Sequence, residues 1–151
     1  MRLDPTEMKI SGALPLMWGE LERPGGVRLR HVRVLPLDGQ VRATLVLLHG
    51  RTEFIEKYEE IFEAACARQI EIFSLDWRGQ GLSTRALSDP NKGHIDDFQH
   101  YVSDLADFIE RVVRPASRGA LNLLSHSMGG AAALHFLKAY SGVFQRALLV
   151  A

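Results

Sequence analysis

Three short stretches, Ala43 to Leu48, Ile70 to Leu75 and Ala120 to Leu124, are rich in aliphatic residues, and each precedes loop or helical patterning; this alternation constrains the fold more than any other feature. A strand of that kind is at home only where both of its faces are covered, which calls for a parallel sheet with helices on either side. From Ile55 to Arg68 the apolar positions Ile55, Tyr58, Ile61, Phe62, Ala65 and Cys66 keep helical spacing, so strand, helix and strand make a β-α-β unit. Phe98, Tyr101, Val102, Leu105, Phe108, Ile109 and Val112 mark one face of a second helix, with Asp96 and Asp97 expected in its first turn and Pro115 at its end. A third helix is expected from Gly130 to Tyr140, stopped near Gly142, before a last strand from Arg146 to Ala151.

Ahead of these, Leu16 to Leu21 and Val27 to Leu35 read as a hairpin around Pro24-Gly25-Gly26, and residues 1–15 as a loosely ordered leader. The class is therefore α/β, with a mostly parallel doubly wound sheet and a single domain over residues 16–151. An apolar sixth strand at a sheet edge calls for a neighbour, so the domain is expected to be truncated after about that strand.

Composition narrows function by exclusion. Basic and acidic residues are equal at 18 each and form no run of one sign, which argues against a nucleic-acid partner. No stretch has the roughly 18 consecutive apolar residues of a spanning helix, and no secretory signal is visible; peripheral membrane contact stays open. The single cysteine, Cys66, falls on the apolar face of a helix and reads as a packed thiol, which fits a reducing, cytoplasmic compartment.

Chemistry concentrates at Ser125-His126-Ser127-Met128-Gly129-Gly130, where a strand turns sharply into a helix around one serine. Such a bend strains a non-glycine residue and lifts its hydroxyl above the sheet, beside free amides and a helix N-terminus suited to developing negative charge. Small residues are expected at 125, 129 and 130. A second loop, His49-Gly50-Arg51-Thr52-Glu53-Phe54, follows a central strand at its carboxyl end, where α/β sheets bind ligands. An amide of that loop and the amide of Met128 would form a pair of oxyanion donors.

The stretch Asp76-Trp77-Arg78-Gly79-Gln80-Gly81-Leu82-Ser83 lacks the third glycine and the following helix of a dinucleotide loop, so it is read as a loop fixed by an Asp76–Arg78 salt bridge. His94, Asp96, Asp97 and His100 have the residue types of a metal site without convincing spacing, and the acids are better explained by the helix start. Neither a metal nor another cofactor is expected.

Taken together, the His49-Gly50 loop with Arg51-Thr52-Glu53-Phe54, the Asp76 to Ser83 stretch and the Ser127 elbow resemble, in order and near their spacing, the α/β-hydrolases of the monoglyceride lipase and lysophospholipase group, also described as serine aminopeptidase-like. Gly93-His94-Ile95-Asp96-Asp97-Phe98 is similar to lysophospholipases of the L2 type, and the resemblance spans roughly residues 25 to 151. It implies an α/β-hydrolase sheet and a serine hydrolase that cleaves a lipid-type ester. It further implies Ser127 as nucleophile, Met128 with the His49-Gly50-Arg51 loop as oxyanion site, and Ser125, His126, Gly129 and Gly130 as elbow supports. One departure stands at the elbow, where Ser125 replaces the first glycine of G-x-S-x-G.

The same resemblance gives the order serine, acid, histidine, which puts acid and base after residue 151, in a C-terminal half that would complete the site. His126 is then a turn residue and His49 a support for the loop; neither they nor His94, His100 and His135 are expected to serve as the base. The alternative is an inert fragment or accessory half, since a serine hydroxyl is a weak nucleophile without a partner to take its proton.

Overall fold

The computed structural model describes residues 14–89 and 91–151, so of the leader expected at 1–15 only Leu14 and Pro15 fall within it. Strands β1 (Leu16–Arg23) and β2 (Val27–Val34) form the expected hairpin through a turn at Pro24–Gly26. Gly25 turns the chain there at φ 77°, a left-handed conformation that a side chain disfavours. Four more strands follow: β3 (Ala43–Leu48), β4 (Ile70–Leu75), β5 (Leu121–His126) and β6 (Arg146–Val150). The six lie in the order β1-β2-β4-β3-β5-β6. β2 runs antiparallel to β1 and β4, and β4, β3, β5 and β6 are mutually parallel.

Alternation along the central strands divides the core in two. Val46, Leu48, Phe73 and Leu75 face helices α2 (Gln99–Phe108) and α4 (Met128–Ala139), packing against Val102, Leu105, Phe108, Ala132, Ala133 and Phe136. On the other face Leu47 and Ile72 join Val32 and Val34 under α1 (Glu59–Cys66), which contributes Phe62, Ala65 and Cys66. Helices on both faces of a largely parallel sheet are the doubly wound arrangement expected. Burying each large side chain of these clusters stabilises the fold by about 1.5–3 kcal/mol. Cys66 is packed as expected, its thiol pushed up to about 11 by burial.

The elements differ from expectation in four places. The helix expected from Ile55 begins as a 3-10 turn, Ile55–Tyr58, and α1 proper is only eight residues. The second helix runs on past Val112: a π-turn, Ile109–Val113, leads into the short α3 (Arg114–Ala116), and Pro115 lies within that last turn. A widened turn is one way for a helix to accommodate a residue without an N–H. Asp97 stands just before α2, where its Oδ1 accepts the Gln99 amide at 2.8 Å, and Asp96 pairs with His94 at 2.8 Å. Finally, the buried strands hide polar groups. Glu71 accepts the Thr44 hydroxyl at 2.7 Å, the Arg33 guanidinium at 2.7 Å and the Arg118 amide at 2.6 Å, while Ser74 donates to Leu47 O at 2.9 Å.

Among the described residues no helix is long and apolar enough to cross a membrane. The outer edge of β6 is apolar and open, with Leu148 61% exposed.

Candidate active site

β5 ends at His126 and α4 begins at Met128, so one residue makes the whole turn between them. That residue is Ser127, at φ 50° and ψ −118°, and it is exposed. A non-glycine residue held there stores on the order of 1–3 kcal/mol of strain, which the surroundings must impose. They do so from both sides: the Ser127 amide donates to Val150 O at 2.8 Å, and its carbonyl accepts the Gly130 amide at 2.8 Å to open the helix. The serine is thus fixed at the carboxyl end of the sheet.

Two of the three small residues expected at the bend are demanded by space. A Cβ on Gly129 would come within 2.6 Å of His49 O and 2.7 Å of Leu48 O, both backbone atoms. Ser125 is 1% exposed and its hydroxyl finds no hydrogen-bond partner among the described residues. At Gly130 an added Cβ would meet its nearest neighbour, Ser125 Oγ, at an ordinary 3.6 Å. The requirement for a small residue there is correspondingly weaker than the sequence suggested.

The loop after β3 closes on this bend, for a Cβ on Gly50 would lie 3.2 Å from Ser127 Cβ. Its amides are sorted by what holds them. Gly50 N donates to Glu53 Oε2 at 2.6 Å, and Thr52 N donates to Gln80 Oε1 at 2.8 Å. Between these two pinned amides lies Arg51 N, which, like Met128 N at the start of α4, meets no acceptor among the described residues. Of the loop residues expected to supply an oxyanion donor, Gly50 has its amide occupied and Arg51 has its amide open.

Glu53 ties loop and elbow together. Its Oε2 also accepts the Tyr58 hydroxyl at 2.7 Å and faces His126 Nδ1 at 3.1 Å. Burial raises the Glu53 carboxyl, but Tyr58, His126 and the Gly50 amide together outweigh it and leave the group below its ordinary value. Burial and the adjacent Glu53 both raise the Tyr58 phenol. Sequence reasoning passed over Glu53, Tyr58 and Gln80 as functional residues. Glu53 was within its reach, because an acid three residues past a loop amide can fold back on it as in a capping box. Gln80 was not, because its partner is 28 residues away.

His49 is wholly buried and works as a strut. Its Nδ1 donates to Gly50 O at 2.7 Å, its Nε2 accepts Trp77 N–H at 3.3 Å, and its carbonyl accepts the Trp77 indole at 2.9 Å. Asp76 does not pair with Arg78, contrary to expectation. Its carboxylate takes Arg30 Nε at 2.7 Å together with the amides of Leu82 at 2.9 Å and Ile55 at 3.0 Å, so it joins three segments behind the loop. Gly81 sits at φ 49°, and a Cβ there would come within 2.2 Å of the Asp76 carboxyl. Arg78 instead grips Asp104 of α2 through two bonds of 2.7 Å. The reason is geometric, since each charge faces a partner that only the tertiary fold supplies.

Three of the other histidines are engaged elsewhere. His126 turns toward Glu53, His94 toward Asp96, and His135 packs on Phe98 with ring centroids 5.5 Å apart. No hydrogen bond among the described residues joins a histidine to the Ser127 hydroxyl. Beside Met128 a hollow of about 350 Å³ opens between Arg51, Gln80, His94, Phe98 and Tyr101. A larger one of about 700 Å³, lined by Leu37, Arg42 and Gln69, lies at the amino ends of β3 and β4, the far end of the sheet from Ser127. Chemically, the arrangement offers a strained, exposed hydroxyl beside two amides without acceptors among the described residues, groups of the kind that suit nucleophilic attack and developing negative charge.

Comparison with known proteins bears on the family and the fold. The model of the family described as serine aminopeptidase, S33, matches residues 39–151. A probable lysophospholipase L2 of Haemophilus influenzae is 33% identical over 123 residues, covering 82% of this chain and 39% of that protein. Lysophospholipase L2 of Escherichia coli is 38% identical over 107 residues, covering 71% and 32% respectively. The chain therefore spans between about a third and two fifths of the length of these relatives. Among solved structures, a soluble variant of monoglyceride lipase from Saccharomyces cerevisiae superposes with a TM-score of 0.77 at 20% identity, covering 93% of this chain and 46% of that one. A carboxyl esterase from Bacillus coagulans superposes with a TM-score of 0.76 at 13% identity, covering 89% and 43%. The fold is that of the α/β-hydrolases.

Proposed function

Since the chain belongs to the serine aminopeptidase S33 family of hydrolases, we propose that it carries the nucleophile and oxyanion site of an enzyme that cleaves carboxylic esters of lipid type through an acyl-serine. The observation that carries this reading is Ser127 alone at the bend, exposed, with the amides of Met128 and Arg51 open beside it. In the proposed reaction the Ser127 oxygen attacks the ester carbonyl carbon as its proton passes to a base. The carbonyl oxygen becomes an oxyanion held by the two amides, and collapse expels the alcohol and leaves the acyl group on Ser127. Water then attacks the acyl-serine, releasing the fatty acid and restoring the hydroxyl.

We assign the base to a histidine, oriented by a carboxylate, supplied from outside these 151 residues, because no histidine of the described residues is hydrogen-bonded to the Ser127 hydroxyl. A second reading follows from the same observation: taken by itself, the chain performs no turnover. The names of the relatives support lysophospholipids and monoacylglycerols as the substrate class. Peripheral contact with a membrane surface, where such esters reside, is part of the proposal. The test is hydrolysis of a lysophospholipid and of a monoacylglycerol by the full-length protein. Release of fatty acid by the wild type and its loss in Ser127→Ala is expected; equal release by both would overturn the reading.

A further inference from the structure

The hollow beside Met128 is unlike a simple acyl groove, because its mouth carries a positive charge. Arg51 is exposed at its rim and, unlike Arg30 and Arg78 behind it, has no carboxylate partner among the described residues. Arg51 and Tyr101 line the same hollow; burial raises the Tyr101 phenol, and the Gln80 side chain and the Arg51 charge pull against the rise. His94 and Ile95 form a wall shared with a neighbouring hollow of about 290 Å³. That second hollow is lined by Arg85 and His100; among the described residues Arg85 is held by the carbonyls of Gly79 at 2.7 Å and Gly81 at 3.0 Å and meets no carboxylate. Among the described residues that line the two hollows the one acid, Asp96, is turned to His94 at 2.8 Å.

A guanidinium held this way offers paired donors to a phosphate, and a cation without a counter-ion next to an oxyanion site favours an anionic ligand. A lysophospholipid carries its phosphodiester one or two glycerol carbons from the ester-bearing carbon, so an ester seated at Ser127 leaves the phosphate a few bonds away, within reach of the adjoining space. We propose that the hollow between Arg51 and His94 receives the anionic phosphodiester head group of the substrate, making the enzyme selective for lysophospholipids over uncharged monoacylglycerols. This rests on the reading of Ser127 as the nucleophile of a lipid esterase. Arg51 thereby acts twice, through its amide on the oxyanion and through its side chain on the head group.

The test compares kcat/KM for a lysophosphatidylcholine and a monoacylglycerol of the same acyl chain, using the full-length protein, Arg51→Ala and Arg51→Lys. The ratio of the two values is expected to fall about tenfold to a hundredfold in Arg51→Ala and to be partly restored in Arg51→Lys. Glycerophosphocholine should compete with the monoacylglycerol, and inorganic phosphate much less. A ratio unchanged in Arg51→Ala, with both esters still hydrolysed, overturns the head-group site and leaves the esterase reading standing. Equal competition by inorganic phosphate overturns the assignment to a lipid head group. If the wild type hydrolyses neither ester, the esterase reading fails and this inference falls with it.

Discussion

A Cβ placed on Gly129 would stand 2.6 Å from the carbonyl oxygen of His49, so the helix that follows Ser127 starts in contact with the backbone of the loop after β3. Neither atom belongs to a side chain that can move aside. Gly129→Ala is therefore expected to destabilise the protein by about 1–3 kcal/mol and to push loop and elbow apart. Gly130→Ala, whose added methyl group meets its nearest neighbour at 3.6 Å, serves as the comparison and should cost much less. Thermal unfolding of the two variants checks this, and equal melting temperatures would contradict it.

Glu53 holds the Gly50 amide at 2.6 Å while it faces His126 at 3.1 Å, which keeps the loop aligned with the elbow. In Glu53→Gln the charge is lost and one of the two carboxylate oxygens becomes a donor. The full-length enzyme is expected to lose about tenfold to a hundredfold in kcat with little change in KM, because a loosened Gly50 misplaces the neighbouring Arg51 amide, which acts on the transition state rather than on substrate binding. An unchanged kcat, or a loss confined to KM, would contradict this role.

Asp76 gives the structure an acid limb. Burial raises its carboxyl, but the Arg30 guanidinium and the Leu82 amide hold it below its ordinary value of 3.8. A carboxyl depressed in the folded state binds its proton more readily when unfolded. Its stabilisation is complete above the ordinary value and is lost as pH falls through the lower folded one. Stability should accordingly drop below about pH 4. Asp76→Asn is expected to cost about 1–3 kcal/mol at neutral pH and to flatten that drop. Denaturation at a series of pH values measures it, and an acid limb unaltered in the variant would contradict the assignment.

What the sequence disclosed of the fold was whatever the periodicity of apolar residues encodes. The six strands, their mainly parallel arrangement and the helices on both faces followed from runs such as Ala43 to Leu48 and from helical spacing such as Phe98 to Val112. Helix ends were less legible: the tight start at Ile55 and the widened turn before Pro115 depend on tertiary packing rather than on local pattern. At the site the bend at Ser127 was readable because its local sequence forces the geometry. The Arg30–Asp76 and Arg78–Asp104 pairs, like the Gln80 brace on Thr52, join residues brought together only by the sheet order. Adjacent charges in sequence, such as Asp76 and Arg78, were a false guide for the same reason.

Ser127 is the proposed reactive nucleophile, and mass spectrometry of the full-length protein after treatment with a fluorophosphonate measures its reactivity directly. The expected result is a single phosphonyl adduct on Ser127, absent in Ser127→Ala and diminished in Glu53→Gln. An unlabelled Ser127 in a folded, full-length protein, or a label on another residue that persists in Ser127→Ala, would contradict the account.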